Sequence, residues 1–162
     1  MIQLKTISKE NALSRLEELC ARGERCTGEL AEKLRRLGVL STDAQEIIAS
    51  LKERRFVDDS RFASAYVRDK LRYGRWGKRK IYLGLMAKRI DSAMISAALD
   101  EIDEEEYVKT AREFLTAKAR SVKEGYTYEG RTRLYRAGLS RGFESSVVAP
   151  IVKDPAIWPE HQ

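Results

Sequence analysis

The sequence predicts an all-α chain of three tandem three-helix units, and three observations carry that prediction. An apolar pattern recurs at a constant offset of 51 residues: Leu30, Leu34, Val39, Ile47 and Ile48 fall over Ile81, Leu85, Ile90, Ala98 and Leu99, and Ala12 and Leu16 fall over Ala63 and Val67. A looser copy, Leu134, Gly138, Phe143, Ile151 and Val152, follows about 53 residues later. No stretch alternates with the period of two that a half-buried strand requires. Repetition at this spacing marks an array whose units help to cover one another's apolar faces, and an array suits binding better than catalysis.

Each element has a local reason. Ser8 caps a first helix to about Ala21, striped by Ala12, Leu13, Leu16 and Leu19, and Gly23 stops it. A second helix runs from about Cys26 to Leu37 with Leu30 and Leu34 inward, and Gly38 supplies its C-terminal turn. A third opens at Ser41 or Thr42, buries Ala44, Ile47, Ile48 and Leu51, and ends near Arg54 and Arg55. Asp58 and Asp59 cap the fourth, which carries Phe62, Ala63, Tyr66 and Val67 to about Tyr73. After Gly74 and Gly77 the fifth holds Ile81, Tyr82, Leu85 and Met86, and Asp91 caps a sixth that buries Met94, Ile95, Ala98 and Leu99. The acidic stretch Asp103–Glu106 starts a seventh through Tyr107, Ala111, Phe114, Leu115 and Ala119. The eighth spans about Tyr128–Leu139, with Gly130 and Gly138 each costing roughly 1 kcal/mol against Ala. The ninth runs from about Glu144 to Val152. The expected units are residues 1–57, 58–103 and 104–153, the third being the most mobile, followed by a flexible Pro-bearing tail at 154–162.

The 162 residues carry 31 basic and 25 acidic side chains, a formal net charge of +6 that suits a nucleic acid, an acidic protein surface or an anionic membrane. The charge is segregated. Arg68, Lys70, Arg72, Arg75, Lys78, Arg79, Lys80, Lys88 and Arg89 fall within 22 residues, opposed only by Asp69. Arg131, Arg133, Arg136 and Arg141 follow in the third unit with no acid between them. A single run of cations is usually a solvated face, but two runs on corresponding helices suggest a basic edge that tracks phosphates or an acidic groove. Trp76, in a Gly-flanked turn among these cations, is a candidate for stacking on bases, whereas Tyr82 reads as packing.

Other chemistry finds little support. Cys20 and Cys26 lack the companions of a zinc site and read as reduced, half-buried thiols. The one histidine, His161, lies in the tail, so no Ser/His/Asp or Cys/His constellation can form, and no enzyme, metal or cofactor is expected. Gly74-Arg75-Trp76-Gly77 matches the GXXG loop of KH domains without the sheet that fold needs. The short helices two and three, or five and six, leave a helix-turn-helix reading open, weakened by the acidic sixth helix where a recognition helix would be basic. With neither a signal-peptide core in Met1–Glu10 nor a run of membrane-spanning length, the expectation is a cytoplasmic monomer away from membranes.

The segment Phe56-Val57-Asp58-Asp59-Ser60-Arg61-Phe62-Ala63 with Tyr66 resembles the F-x-D-D-x-R-F-A-x-x-Y signature of the RecX family. Arg25, Cys26, Glu29, Leu30 and Leu34 match its R-S-x-x-E-L-x-x-x-L segment, with Cys where Ser is usual. Gly77, Ile81, Leu85, Lys88 and Ile90 match G-x-x-x-I-x-x-x-L-x-x-K-G-I, except that Arg89 replaces the second glycine. The resemblance covers nearly all of residues 8–152, is strongest across 25–99 and is faint after Tyr107. It implies a curved, elongated array that is not an enzyme. It also implies binding in the groove of the RecA filament on single-stranded DNA, restraining ATP hydrolysis, filament growth and strand exchange in recombination and repair. The signature residues themselves read as structural, Asp58 and Asp59 as a cap, Phe62 and Tyr66 as core. The expected contact edge is the cations Arg68, Arg72, Arg75, Lys78, Arg79, Lys80, Lys88, Arg89, Arg131, Arg133, Arg136 and Arg141. Two other readings stand beside it: a general DNA-binding repeat protein that acts by competing for DNA, and a helical adaptor for another protein.

Overall fold

The computed structural model describes residues 7–161, and among them every regular element is helical. Nine α-helices follow in order: α1 Lys9–Arg22, α2 Thr27–Arg36, α3 Ser41–Glu53, α4 Asp59–Arg72, α5 Lys78–Ala87, α6 Ser92–Asp100, α7 Glu104–Ala119, α8 Tyr128–Ser140 and α9 Ser145–Val152. Two 3-10 turns, Pro155–Ile157 and Pro159–His161, close the chain. Side-chain caps recur at the helix starts: Ser8 accepts from Asn11 N, Asp58 from Arg61 N, Asp91 from Ala93 N, Asp103 from Glu106 N and Thr127 from Gly130 N. Each bond satisfies a backbone donor that the helix itself leaves free.

The helices pack in threes. In the first unit α3 packs against α1 and α2; in the second α4, α5 and α6 pack mutually, as do α7, α8 and α9 in the third. Ala12, Leu16, Leu30, Leu34, Ile47, Leu51 and Val57 form a core of their own in the first unit. The second and third units share one continuous core running from Phe62 through Ile81, Leu85 and Tyr107 to Leu134 and Trp158. The accessible surface is 10427 Å², against roughly 8200 Å² expected of a compact monomer of this mass, as befits small units joined in a row.

The joints between units repeat. The start of α2 docks on the α5–α6 turn, and the start of α5 docks on the α8–α9 turn. A Cβ at Gly28 would collide with the Lys88 carbonyl, and one at Gly77 with the backbone of Gly142 and Phe143, so both positions admit only glycine. Cys26 Sγ lies 3.8 Å from the Lys88 carbonyl at the first joint; Gly77 N donates to Arg141 O at 2.9 Å and Arg79 N to Gly142 O at 3.1 Å at the second. The turn after the middle helix of each unit holds a left-handed residue at the repeat position: Gly38 at φ 76°, Arg89 at 62° and Gly142 at 101°.

Several expectations change. The tail is docked: Ile157 and Trp158 are buried, and the Trp158 indole N–H donates to Val152 O at 3.1 Å. Burying an indole outweighs the tendency of a Pro-rich end to fray. Met86 and Met94 lie on the solvent side, 45% and 39% exposed, because the narrow inward stripes of α5 and α6 are filled by Ile81 with Leu85 and by Ile95 with Ala98. Cys26 is fully buried rather than half-buried. Gly138 is a packing position, since a Cβ there would meet Val148 at 2.8 Å and Leu115 at 3.2 Å.

Candidate binding surface

The sequence-expected basic edge divides into three groups once the helices are in place. One group is neutralised by carboxylates. Arg72 meets Glu106 at 3.4 Å, Arg75 meets Glu113 at 3.8 Å, Lys78 meets Glu104 at 2.6 Å, Lys88 meets Glu29 at 3.5 Å and Arg133 meets Glu124 at 3.0 Å. Three of these acids belong to α7, so the acidic start and first turns of the third unit fold back over the cations of the second. Pairs this exposed contribute little stability, but they lower the local positive potential.

A second group is structural. Arg141 donates to the carbonyls of Gly74 and, at 3.2 Å, Arg75, and its guanidinium lies 5.2 Å from the Phe114 ring, so it latches the α4–α5 loop to the end of α8. Lys80 Nζ lies 4.5 Å from the centre of the Trp76 ring and Lys70 Nζ 4.6 Å from it, while Tyr66 meets the same ring edge-on at 6.4 Å. Trp76 is thus half-buried and already engaged by an aromatic ring and two ammonium groups, which favours packing over base stacking. Arg131 covers Tyr126 at 4.7 Å.

The third group is exposed and has no carboxylate within 4 Å among the described residues: Arg68, Arg79, Arg89 and Arg136. These four are the part of the expected edge that remains available to an external anion.

Sequence reasoning passed over a second basic face. Lys109 and Arg112 of α7 and Arg120 just past its end, with Arg75 from the α4–α5 loop, line an open concavity of about 450 Å³ whose one acid is Glu113. Lys109, Arg112, Thr116 and Arg120 fall at helical spacing and were readable as one face; Glu113 beside them and the acidic start of α7 obscured it. Arg112 is held by Asp154 at 2.5 Å, which the arginine keeps below the usual carboxylate range.

Two titratable groups at the joints are perturbed. Burial, ahead of the nearby Glu29 and Asp59 charges, pushes the Cys26 thiol up to about 11. The Tyr107 hydroxyl accepts from Lys78 N at 2.9 Å and faces Glu144 at 2.9 Å, and burial above all raises it beyond the usual phenol range. Among the described residues no group of three or more His, Cys, Asp or Glu could hold a metal ion, and no helix is long and apolar enough to cross a membrane.

Comparison with known proteins agrees with this architecture. The family model described as "RecX, second three-helix domain" matches residues 58–99, which hold α4 to α6. Regulatory protein RecX of Clostridium botulinum (strain Eklund 17B / Type B) is 28% identical over 158 residues, covering 94% of this chain and 74% of its own. Regulatory protein RecX of Streptomyces coelicolor is 28% identical over 138 residues, covering 82% and 73%. The crystal structure of RecX from Lactobacillus salivarius superposes with a TM-score of 0.81 at 21% identity, covering 92% of this chain and 97% of that one, and shows a shared fold. The D-D-x-R-F-A signature at the start of α4 falls inside the matched three-helix domain, and the likeness to regulatory protein RecX runs along most of the chain.

Proposed function

We propose that this protein binds the RecA filament on single-stranded DNA and restrains its ATP hydrolysis, extension and strand exchange. The observation that carries this reading is the chain-long likeness to regulatory protein RecX. The row of small units supports it, because a row can gain avidity from several weak contacts along a periodic partner. The cations without carboxylate partners, Arg68, Arg79, Arg89 and Arg136, supply candidate contacts to acidic protein surface or to phosphate. The reading treats the protein as a regulator rather than an enzyme, working in the cytoplasm as a monomer without a cofactor.

The test is RecA's single-strand-dependent ATP hydrolysis, measured with this protein titrated in at two DNA concentrations. Inhibition at substoichiometric amounts that added DNA does not relieve supports direct action on the filament. Relief by excess DNA replaces it with competition for DNA, the second reading, which the basic surface favours. Absence of any effect overturns both.

A further inference from the structure

At the joint between the first and second units, α2 and the α5–α6 turn enclose a cleft of about 470 Å³. Five cations line it: Arg25, Lys33, Arg36, Lys88 and Arg89. Two carboxylates stand against them, and both are already engaged. Glu29 pairs with Arg25 at 3.6 Å and Lys88 at 3.5 Å; Glu32 binds Arg35 at 2.7 Å and Arg36 at 3.3 Å. Lys33 and Arg89 have no carboxylate within 4 Å among the described residues, and the buried Arg25 Nε–H finds no acceptor there. A buried donor without a partner calls for an explanation.

Arg89 supplies an independent observation. It occupies the left-handed position that Gly38 and Gly142 fill in the other two units, at φ 62°, a conformation that suits glycine and strains an arginine. Strain held in a folded chain concentrates at sites that use the strained residue. The α2 backbone passes close enough to place Arg89 Cβ at 3.5 Å from where a Cβ on Gly28 would stand, so the turn delivers the guanidinium beside the α2 cations.

We infer that this cleft is a phosphodiester site that holds the backbone of single-stranded nucleic acid. The excess of cations over carboxylates suits a chain of phosphates better than a lone carboxylate, and the arginine forks match phosphate oxygens bidentately. The inference rests on the nucleic-acid half of the function proposed above and extends it to Lys33 and Arg36 of the first unit.

The experiment measures binding of a fluorescein-labelled oligothymidylate to the full chain, without RecA, over a series of salt concentrations. Arg89→Gly is the informative variant because strain and contact move in opposite directions. Its thermal midpoint should rise while its affinity falls roughly tenfold, the equivalent of one charge-assisted hydrogen bond. The slope of log affinity against log salt should shrink by about 0.7 for one lost phosphate contact. Lys33→Gln should weaken binding in the same sense with its thermal midpoint unchanged. A raised midpoint with unchanged affinity and slope overturns the site, and so does failure of the parent protein to bind at low salt. Either result leaves RecA inhibition free to persist, so failure of the cleft is distinguishable from failure of the proposed function.

Discussion

The Asp59 carboxylate caps a helix to which it does not belong: it accepts from Thr27 N at 2.8 Å and from Thr27 Oγ1 at 2.7 Å, closing the start of α2 from the start of α4. Asp58, its neighbour, caps α4 itself through Arg61 N at 3.0 Å. The two adjacent carboxylates of the signature therefore do different jobs, one within its unit and one between units. Arg61 joins the same seam through Glu24 at 2.7 Å and through the Arg55 carbonyl.

Asp59→Ala should destabilise the protein by about 1–2 kcal/mol, the range for loss of a charged cap. The check is denaturant unfolding combined with hydrogen exchange. Exchange should accelerate in α2, outside the mutated unit. Combined with Thr27→Ala it should be non-additive, as expected of direct partners; additive effects would show that the bond contributes nothing.

Gly77→Ala forces a methyl group into the backbone of Gly142 and Phe143. Overpacking of this kind costs about 1–3 kcal/mol and occasionally more. Thermal unfolding should show a large loss. Gly23→Ala, where a Cβ meets nothing within 4 Å, is the control and should stay close to the parent.

Trp158→Ala removes a fully buried indole from the core shared by α7 and the tail. A loss of about 3–5 kcal/mol is expected from equilibrium unfolding. Emission of the parent should be dominated by a blue-shifted indole that disappears in this variant, leaving the half-buried Trp76. A red-shifted Trp158 would return the tail to the frayed state that its prolines suggest.

Cys26, raised from 9.0 to about 11, should remain a neutral thiol well above neutrality. The sign follows from linkage. Because the folded value lies above the unfolded one, the thiol's contribution is whole below about pH 9 and is lost as pH rises towards 11. A thiol-specific reagent should label the half-exposed Cys20 first and reach Cys26 only on unfolding. Cys26→Ser should flatten the alkaline fall in stability, though not abolish it, since the buried Tyr107 phenol is displaced in the same direction. Equal labelling rates for the two thiols at neutral pH would contradict the burial.

How much of this was legible beforehand depends on the range over which each interaction acts. The helices were readable because capping and apolar periodicity act within a few residues: Ser8, Asp58, Asp91 and Asp103 announce their helices, and the offset of 51 residues announces the repeat. Composition also showed where cations cluster. It could not show which of them stay free, because their partners are far away in the chain: Arg72 meets Glu106 across 34 residues and Arg141 meets Gly74 across 67. Tertiary packing decided that Lys78 and Arg72 are neutralised by α7 and that Arg141 is a latch. It also decided that Trp158 is core, and that Lys33 and Arg36 share a cleft with Arg89. Local spacing determines backbone conformation because the forces involved are local; the fate of a charge is settled by what the fold brings within a few ångströms of it.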